Sequence, residues 1–78
     1  MKNLYFTDDN KVVLVYTVKN LSKKRELLSN RCKDLDCIGK VNIINKNKFA
    51  LETNIDRYEV GNNLDKINNI DNEVSKIF

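Results

Sequence analysis

The hydrophobic pattern of residues 2–18 predicts a β-hairpin. Near the start of the chain apolar side chains occupy every second position, which is the spacing of a strand with two different faces. The polar segment 8–11 supplies residue types that tolerate tight or left-handed turns. The run 12–18 that follows is apolar on both faces and rich in β-branched residues. This indicates a central strand that is covered, at least in part, on both sides.

The period changes to that of a helix over residues 22–35. Leu28, Cys32 and Leu35 are separated by four and three positions, so they fall on one face of a helix. Ser22 is placed to cap the first turn. The outward side is rich in Lys and Arg and has only two acidic residues. An amphipathic helix with a basic outer face is therefore expected.

A second hairpin is predicted next. The apolar residues Val41, Ile43 and Ile44 are followed by the polar turn 45–48, and apolar and polar residues then alternate over 49–55. Segment 57–60 could form a further short strand. The pattern leaves that point open.

The last segment, from about residue 62 or 63 to the end, predicts an amphipathic helix after a break at Gly61. Asn62 and Asp65 resemble a capping arrangement. Five apolar residues recur at intervals of three, three, four and three, namely Leu64, Ile67, Ile70, Val74 and Ile77. This stripe favours packing on the sheet. The alternative is that Ile77 and Phe78 project as a docking or dimerisation surface.

Together these elements predict a small α+β fold of order ββαββα, an antiparallel sheet of about four strands with two helices on at least one face. A chain of 78 residues has room for one compact domain, 1–78. No run approaches the roughly 20 apolar residues of a membrane span, and the start lacks the features of a signal peptide. We therefore expect a cytoplasmic protein, in the host cytoplasm if a phage encodes it.

The composition argues against most catalytic classes. The chain has no His, the commonest general acid or base, and its two glycines cannot form a phosphate-cradling loop. Cys32 and Cys37 are too few to build a structural zinc site and are expected to be reduced thiols, with a redox-dependent disulfide as the alternative. Acidic pairs at 8–9 and 34–36 suit turns and helix ends better than a cation site. We expect no enzyme activity, no cofactor and no metal.

Charge is unevenly distributed along the chain. Residues 1–48 contain eleven Lys or Arg and five Asp or Glu, a balance of +6, whereas residues 49–78 contain three and six, a balance of −3. Such a basic region could meet a phosphate backbone or an acidic protein groove. The alternative is an ordinary solvated helix face. The predicted partner-binding residues are Lys19, Lys23, Lys24, Arg31 and Lys33.

Asn, Lys and Ile are frequent, and their codons indicate an AT-rich genome. In size and composition the chain resembles phage and mobile-element proteins that disable host defences, anti-CRISPR proteins among them. This resemblance implies a non-enzymatic inhibitor that binds a nucleic-acid-handling protein complex, and it transfers no site residues. One alternative is a direct DNA- or RNA-binding regulator, with Tyr5, Tyr16 or Tyr58 stacking on bases. Another is a subunit that pairs through an exposed strand edge, so a monomer and a homodimer are both open.

Overall fold

The computed structural model describes residues 2–78, which form a four-stranded antiparallel sheet of order β1-β2-β4-β3 and two α-helices. The predicted α+β fold of order ββαββα is confirmed. Segment 57–60 belongs to a 3-10 helix and not to a strand. In chain order the elements are β1 (Lys2–Phe6), β2 (Lys11–Thr17), α1 (Leu21–Lys33), β3 (Ile38–Asn45), β4 (Lys48–Asp56), the 3-10 helix (Arg57–Asn63) and α2 (Leu64–Ile77).

Both helices pack on the same face of the sheet. The strand residues that point to this face alternate along β2 and β4 and join the helix residues in one core cluster. Each fully buried aliphatic side chain there stabilises the fold by roughly 1.5–3 kcal/mol. The core residues are Val12, Leu14, Tyr16, Leu21, Leu28, Cys32, Cys37, Phe49, Leu51, Ile55, Ile67, Ile70, Val74 and Ile77.

The opposite face of the sheet has no helix on it anywhere in residues 2–78. β2 is a central strand, as its sequence predicts. Val13 and Val15, however, are only half-buried, because neighbouring strands alone shield them. The expectation that both sides of this strand are covered is therefore met on one side and only in part on the other.

The ends of the helices differ from the predicted caps. α1 begins one residue before Ser22, and its N-cap is Asn20, whose φ of 60° is left-handed and whose side chain makes no capping bond. The N-cap of α2 is Asn63, which also makes no side-chain cap. The side-chain amide of Asn63 donates instead to the backbone carbonyl of Glu59, at 2.7 Å. Neither α1 nor α2, the two α-helices of the described chain, has the length and apolarity needed to cross a bilayer.

The end of α2 is packed against the body of the protein. Ile77 is buried, and the ring of Phe78 stacks on Phe49 with 5.7 Å between ring centroids. The alternative in which Ile77 and Phe78 project as a docking surface is therefore wrong. Leu64, at the other end of the predicted stripe, is half-exposed and contributes least to it.

Candidate functional site

Five segments of the chain meet at one end of the sheet. β1 begins there, β2 ends there and leads into α1, the turn between β3 and β4 lies there, and α2 ends there. Two contacts tie these segments together. The amide of Val18 donates to the carbonyl of Asn47 at 2.7 Å, and Lys24 Nζ donates to the carbonyl of Ile77 at 2.7 Å.

The segments at this end are rich in lysine, and two carboxylates of α2 pair with two of these lysines: Lys2 Nζ is 2.6 Å from Asp71 Oδ2, and Lys76 Nζ is 3.5 Å from Glu73 Oε1. Residue 2 and segments 17–24, 45–48 and 75–78 contain seven lysines and no Asp or Glu. We call this region the basic end. Its lysines are Lys2, Lys19, Lys23, Lys24, Lys46, Lys48 and Lys76.

The opposite end of the sheet has the reverse composition. Segments 7–10, 34–37 and 54–65 meet there, through a bond from the amide of Asn54 to the carbonyl of Cys37 at 2.9 Å. These segments contain seven carboxylates and one basic residue, Arg57, and Lys11, Lys33 and Lys66 border them. We call this region the acidic end. Its carboxylates are Asp8, Asp9, Asp34, Asp36, Asp56, Glu59 and Asp65.

The two ends are electrostatically separate at physiological salt. The nine residues of β4 run from one end to the other, and a strand rises about 3.3 Å per residue, so the ends lie roughly 30 Å apart. The Debye length at physiological ionic strength is only about 8 Å. A ligand at the basic end is therefore little affected by the carboxylates at the other end, and the net charge of +3 understates the local positive charge.

Two of the predicted partner-binding residues are used inside the protein. Lys24 bonds to Ile77, and its ammonium also lies 5.8 Å from the centroid of the Phe78 ring. Arg31 Nη1 is 3.6 Å from Glu73 Oε2. Both side chains leave the same side of α1, the side that faces α2, since residues seven apart differ by only about 20° around a helix.

The other three predicted residues are exposed but do not share one surface. Lys19 and Lys23 lie at the basic end, and Lys33 lies at the far end of α1. Ten residues separate Lys23 from Lys33, which is about 15 Å along the helix axis. The structure therefore groups Lys19, Lys23 and Lys24 and separates Arg31 and Lys33 from them.

Four lysines of the basic end were missed by reasoning from the sequence. Lys2, Lys46, Lys48 and Lys76 come from segments far apart in the chain, and only the tertiary fold brings them to the end of the sheet where α1 begins. One sequence signal could have indicated part of the group. The turn 45–48 has two lysines and no acidic residue, a local concentration of positive charge that is visible in the sequence.

The start of α1 adds a local preference for anions. Its first turn contains no acidic residue, and no side chain caps it. The positive end of a helix dipole favours negative charge, so Lys23 and Lys24 at this position each cost a few tenths of a kcal/mol, up to about 1 kcal/mol. A bound anion would offset this repulsion.

A cleft of about 770 Å³ opens at the basic end. Asp71 lies in its wall, where it accepts hydrogen bonds from the hydroxyl of Tyr16 at 2.5 Å and from Lys2 Nζ at 2.6 Å. Lys19, Asn47 and Phe78 line other parts of it. Burial, and then the hydrogen bond to Asp71 and the charge of that carboxylate, raise the pKa of Tyr16 above its ordinary value. The phenol therefore remains a protonated donor and holds Asp71 in place.

The cysteines are unsuited to thiolate chemistry. Both are free and buried, Cys32 on the inner side of α1 and Cys37 just before β3, as their sequence positions predict. Burial raises the pKa of the Cys32 thiol to about 11 and also raises that of Cys37. Among residues 2–78 no group of three possible metal ligands occurs.

The tyrosines lie away from the basic end or inside the protein. Tyr16 is buried and stacks on Phe49, with 5.3 Å between ring centroids. Tyr5 is 54% exposed on β1, and Tyr58 is 77% exposed in the 3-10 helix at the acidic end. Neither of these two exposed tyrosines lines the cleft at the basic end.

No protein family model matches the chain, and neither does any curated protein or any solved structure. The function is therefore inferred from the geometry and charge of this chain alone.

Proposed function

We propose that this protein is a non-enzymatic binding protein whose basic end holds the phosphate backbone of DNA or RNA. The observation that supports this proposal is the set of seven lysines at one end of the sheet, beside a cleft of about 770 Å³ that Lys2 and Lys19 line together with Asp71. Lysine ammonium groups bind phosphates as point charges, and each neutralised phosphate releases a counterion.

The fold changes the preference between the two binding classes that the sequence left open. A net charge of +3 is low for a nucleic-acid-binding protein, which favoured a protein partner. The seven carboxylates of the acidic end lie about 30 Å away. Lys2 and Lys76 are paired with carboxylates of α2, which leaves five lysines to give the basic end a net positive charge. The local charge is what a phosphate backbone meets.

The expected binding mode is tolerant of sequence. Backbone contacts by lysine position a nucleic acid but do not read its bases. The exposed tyrosines lie elsewhere, so base stacking contributes little. The volume of the cleft falls in the range of small-ligand sites and suits a single sugar-phosphate unit beside Lys19 and Phe78.

A second candidate is the inhibitor that the composition of the chain suggests. The acidic end favours it, because seven carboxylates on one surface could occupy the basic channel of a nucleic-acid-handling protein in place of phosphates. In that case Asp8, Asp9, Asp56 and Glu59 contact the partner, and the lysines of the basic end do not.

The experiment is a fluorescence-anisotropy titration with short single- and double-stranded DNA and RNA. If five phosphates are neutralised, affinity for duplex DNA falls by a factor of roughly 500 between 50 and 200 mM salt. Binding that weakens steeply with salt and little with base sequence supports the proposal. Absence of binding at 50 mM salt would overturn it and leave the inhibitor as the working hypothesis.

A further inference from the structure

The outer edge of β1 is unpaired within residues 2–78 and unusually apolar. All five residues of β1 are exposed, with Leu4 at 39%, Tyr5 at 54% and Phe6 at 41%. Leu4 and Phe6 share the helix-covered face of the sheet with Leu14 and Val12, their partners on β2. They remain partly exposed because the two α-helices cover the central strands, and the guanidinium of Arg57 lies over the ring of Phe6, 4.4 Å from its centroid.

The other edge of the sheet is protected. The pairing of β3 with β4 has two register shifts, at Ile38/Lys40 and at Ile43/Asn45, and Lys40 is exposed. Irregular pairing and an edge lysine are devices that prevent strands of other chains from adding. The ladder of β1 with β2 is regular, and the one charged residue of β1, Lys2, lies at its first position and pairs with Asp71.

The backbone of β1 offers its outward groups at alternate residues. The amide of Thr7 donates to the carbonyl of Lys11 at 2.9 Å, so Thr7 points its backbone groups toward β2. In an antiparallel ladder the direction alternates along the strand. The amides and carbonyls of Lys2, Leu4 and Phe6 therefore point away from the sheet, six groups in all.

We propose that β1 pairs with β1 of a second copy of this chain, forming a homodimer with one continuous eight-stranded antiparallel sheet. A two-fold axis perpendicular to the sheet keeps the helices of both copies on one side, so paired residues must share a face. The register with the most pairs then sets Leu4 opposite itself and Lys2 opposite Phe6 of the second copy. All six outward backbone groups are paired in this register, which makes six hydrogen bonds.

The same register brings the exposed apolar side chains together. Around the two-fold axis, Leu4 of each copy lies opposite its counterpart and diagonal to Phe6 of the other copy, within reach for aromatic and aliphatic contact. On the opposite face Asn3 lies across from Tyr5. Leu4 and Phe6 of the two copies, four apolar side chains that are exposed in the monomer, thus cover one another on the helix side of the sheet.

Charge complementarity also favours a second copy as the occupant. The two-fold axis reverses the partner, so its acidic turn, Asp8 and Asp9, lies beside the end of β1 that carries Lys2. Each copy thereby places its basic end next to the acidic end of the other. Lys19 follows β2, and Lys46 lies in the turn between β3 and β4, so both lie farther from the interface than Lys2 does. The dimer brings Asp8 and Asp9 of the second copy near Lys2 of the basic end, and the mass measurement that tests it requires no nucleic acid.

Sedimentation equilibrium from 5 to 500 μM tests the dimer, with Leu4→Lys as the disrupting variant and Ile44→Lys, an exposed position on β3, as its matched control. We expect the mass of the native protein and of Ile44→Lys to rise from 9.1 kDa toward twice that value, and Leu4→Lys to stay at 9.1 kDa. A native protein that remains monomeric at 500 μM would overturn the proposal, and so would a Leu4→Lys variant that dimerises as well as the native protein.

If Leu4→Lys fails to fold, disulfide trapping tests the β1–β1 interface instead. Hydrogen-bonded antiparallel partners have Cα atoms about 5.5 Å apart, within the range of a disulfide. Leu4→Cys should therefore form a cross-linked dimer under mild oxidation, whereas Ile44→Cys should not. Equal cross-linking of the two variants would contradict the assigned interface.

Discussion

The two ends of the sheet differ in how they are built as well as in charge. Beneath the basic end, Phe49 lies between Tyr16 and Phe78 in a continuous aromatic stack, and Lys24 ties α1 to the last carbonyls of α2. At the acidic end, the 3-10 helix Arg57–Asn63 has no buried residue. The lysines thus lie above a buried aromatic stack, which supports a surface of fixed geometry, whereas Glu59 at the acidic end lies in a segment without buried residues.

The distribution of charge along the sequence also differs from its distribution in the folded protein. The first 48 residues are basic as a whole, yet Asp8, Asp9, Asp34 and Asp36 from that part of the chain lie at the acidic end. Lys76, from the acidic part, lies at the basic end. The up-and-down path of the chain sorts the charges by end, and this sorting creates the candidate site.

The largest expected effect follows from removing the aromatic support of the basic end. Phe49 is fully buried, so Phe49→Ala should lower the free energy of unfolding by about 3–5 kcal/mol. Tyr58→Ala is the control at the acidic end, where the exposed ring should cost less than about 0.5 kcal/mol. Urea denaturation followed by circular dichroism measures both. Equal losses would contradict the buried aromatic stack beneath the basic end.

A smaller effect is expected from the buried hydroxyl in the cleft. Tyr16→Phe removes a hydrogen bond to the carboxylate of Asp71 and should lower the free energy of unfolding by about 1–3 kcal/mol at neutral pH. Tyr5→Phe, at an exposed ring, is the control and should change it by less than about 0.5 kcal/mol.

The dependence of stability on pH in the alkaline range tests the same hydrogen bond in a second way. The pKa of Tyr16 is raised in the folded protein, so the native state holds this proton more tightly than the unfolded chain does. The contribution to stability is therefore complete below pH 10, near the ordinary pKa of tyrosine, and is lost as the pH rises above it. Urea titrations between pH 8 and 11 should show a steeper decline for the native protein than for Tyr16→Phe. Parallel declines would contradict the assignment.

The smallest effect compares two lysines of one helix. Lys24→Met removes the bond to the carbonyl of Ile77 at the basic end and should cost about 0.5–1.5 kcal/mol. Lys33→Met, at the other end of α1, removes an exposed charge and should change stability by less than about 0.5 kcal/mol. Thermal unfolding of the two variants side by side measures the difference. A larger loss for Lys33→Met would contradict the role of Lys24 as a tie between the helices.

The fold was largely predictable because each element has a clear period. The alternation in β2 and β4 and the spacing of Leu28, Cys32 and Ile70 along the helices are local signals, and the structure confirms them. The caps were not predictable in the same way. The left-handed Asn20 replaces the expected Ser22 because the connection from β2 into α1 sets the backbone there.

The candidate site was predictable only in part. Lys19, Lys23 and Lys24 are neighbours in the chain, so a local reading groups them. Arg31 was grouped with them because the sequence does not show that α2 places Glu73 beside it. Lys46 was missed because its position at the end of the sheet where α1 begins depends on strand order, which local patterns do not specify.

The most direct test of the central claim compares two triple variants in the DNA anisotropy titration. Lys19→Gln/Lys23→Gln/Lys46→Gln changes the basic end, and Lys33→Gln/Lys40→Gln/Lys66→Gln changes exposed lysines elsewhere; each lowers the net charge from +3 to zero. We expect the slope of log affinity against log salt to become shallower by about 2.7 in the first variant and to stay near the native value in the second. Equal slopes in the two variants would contradict a binding site at the basic end.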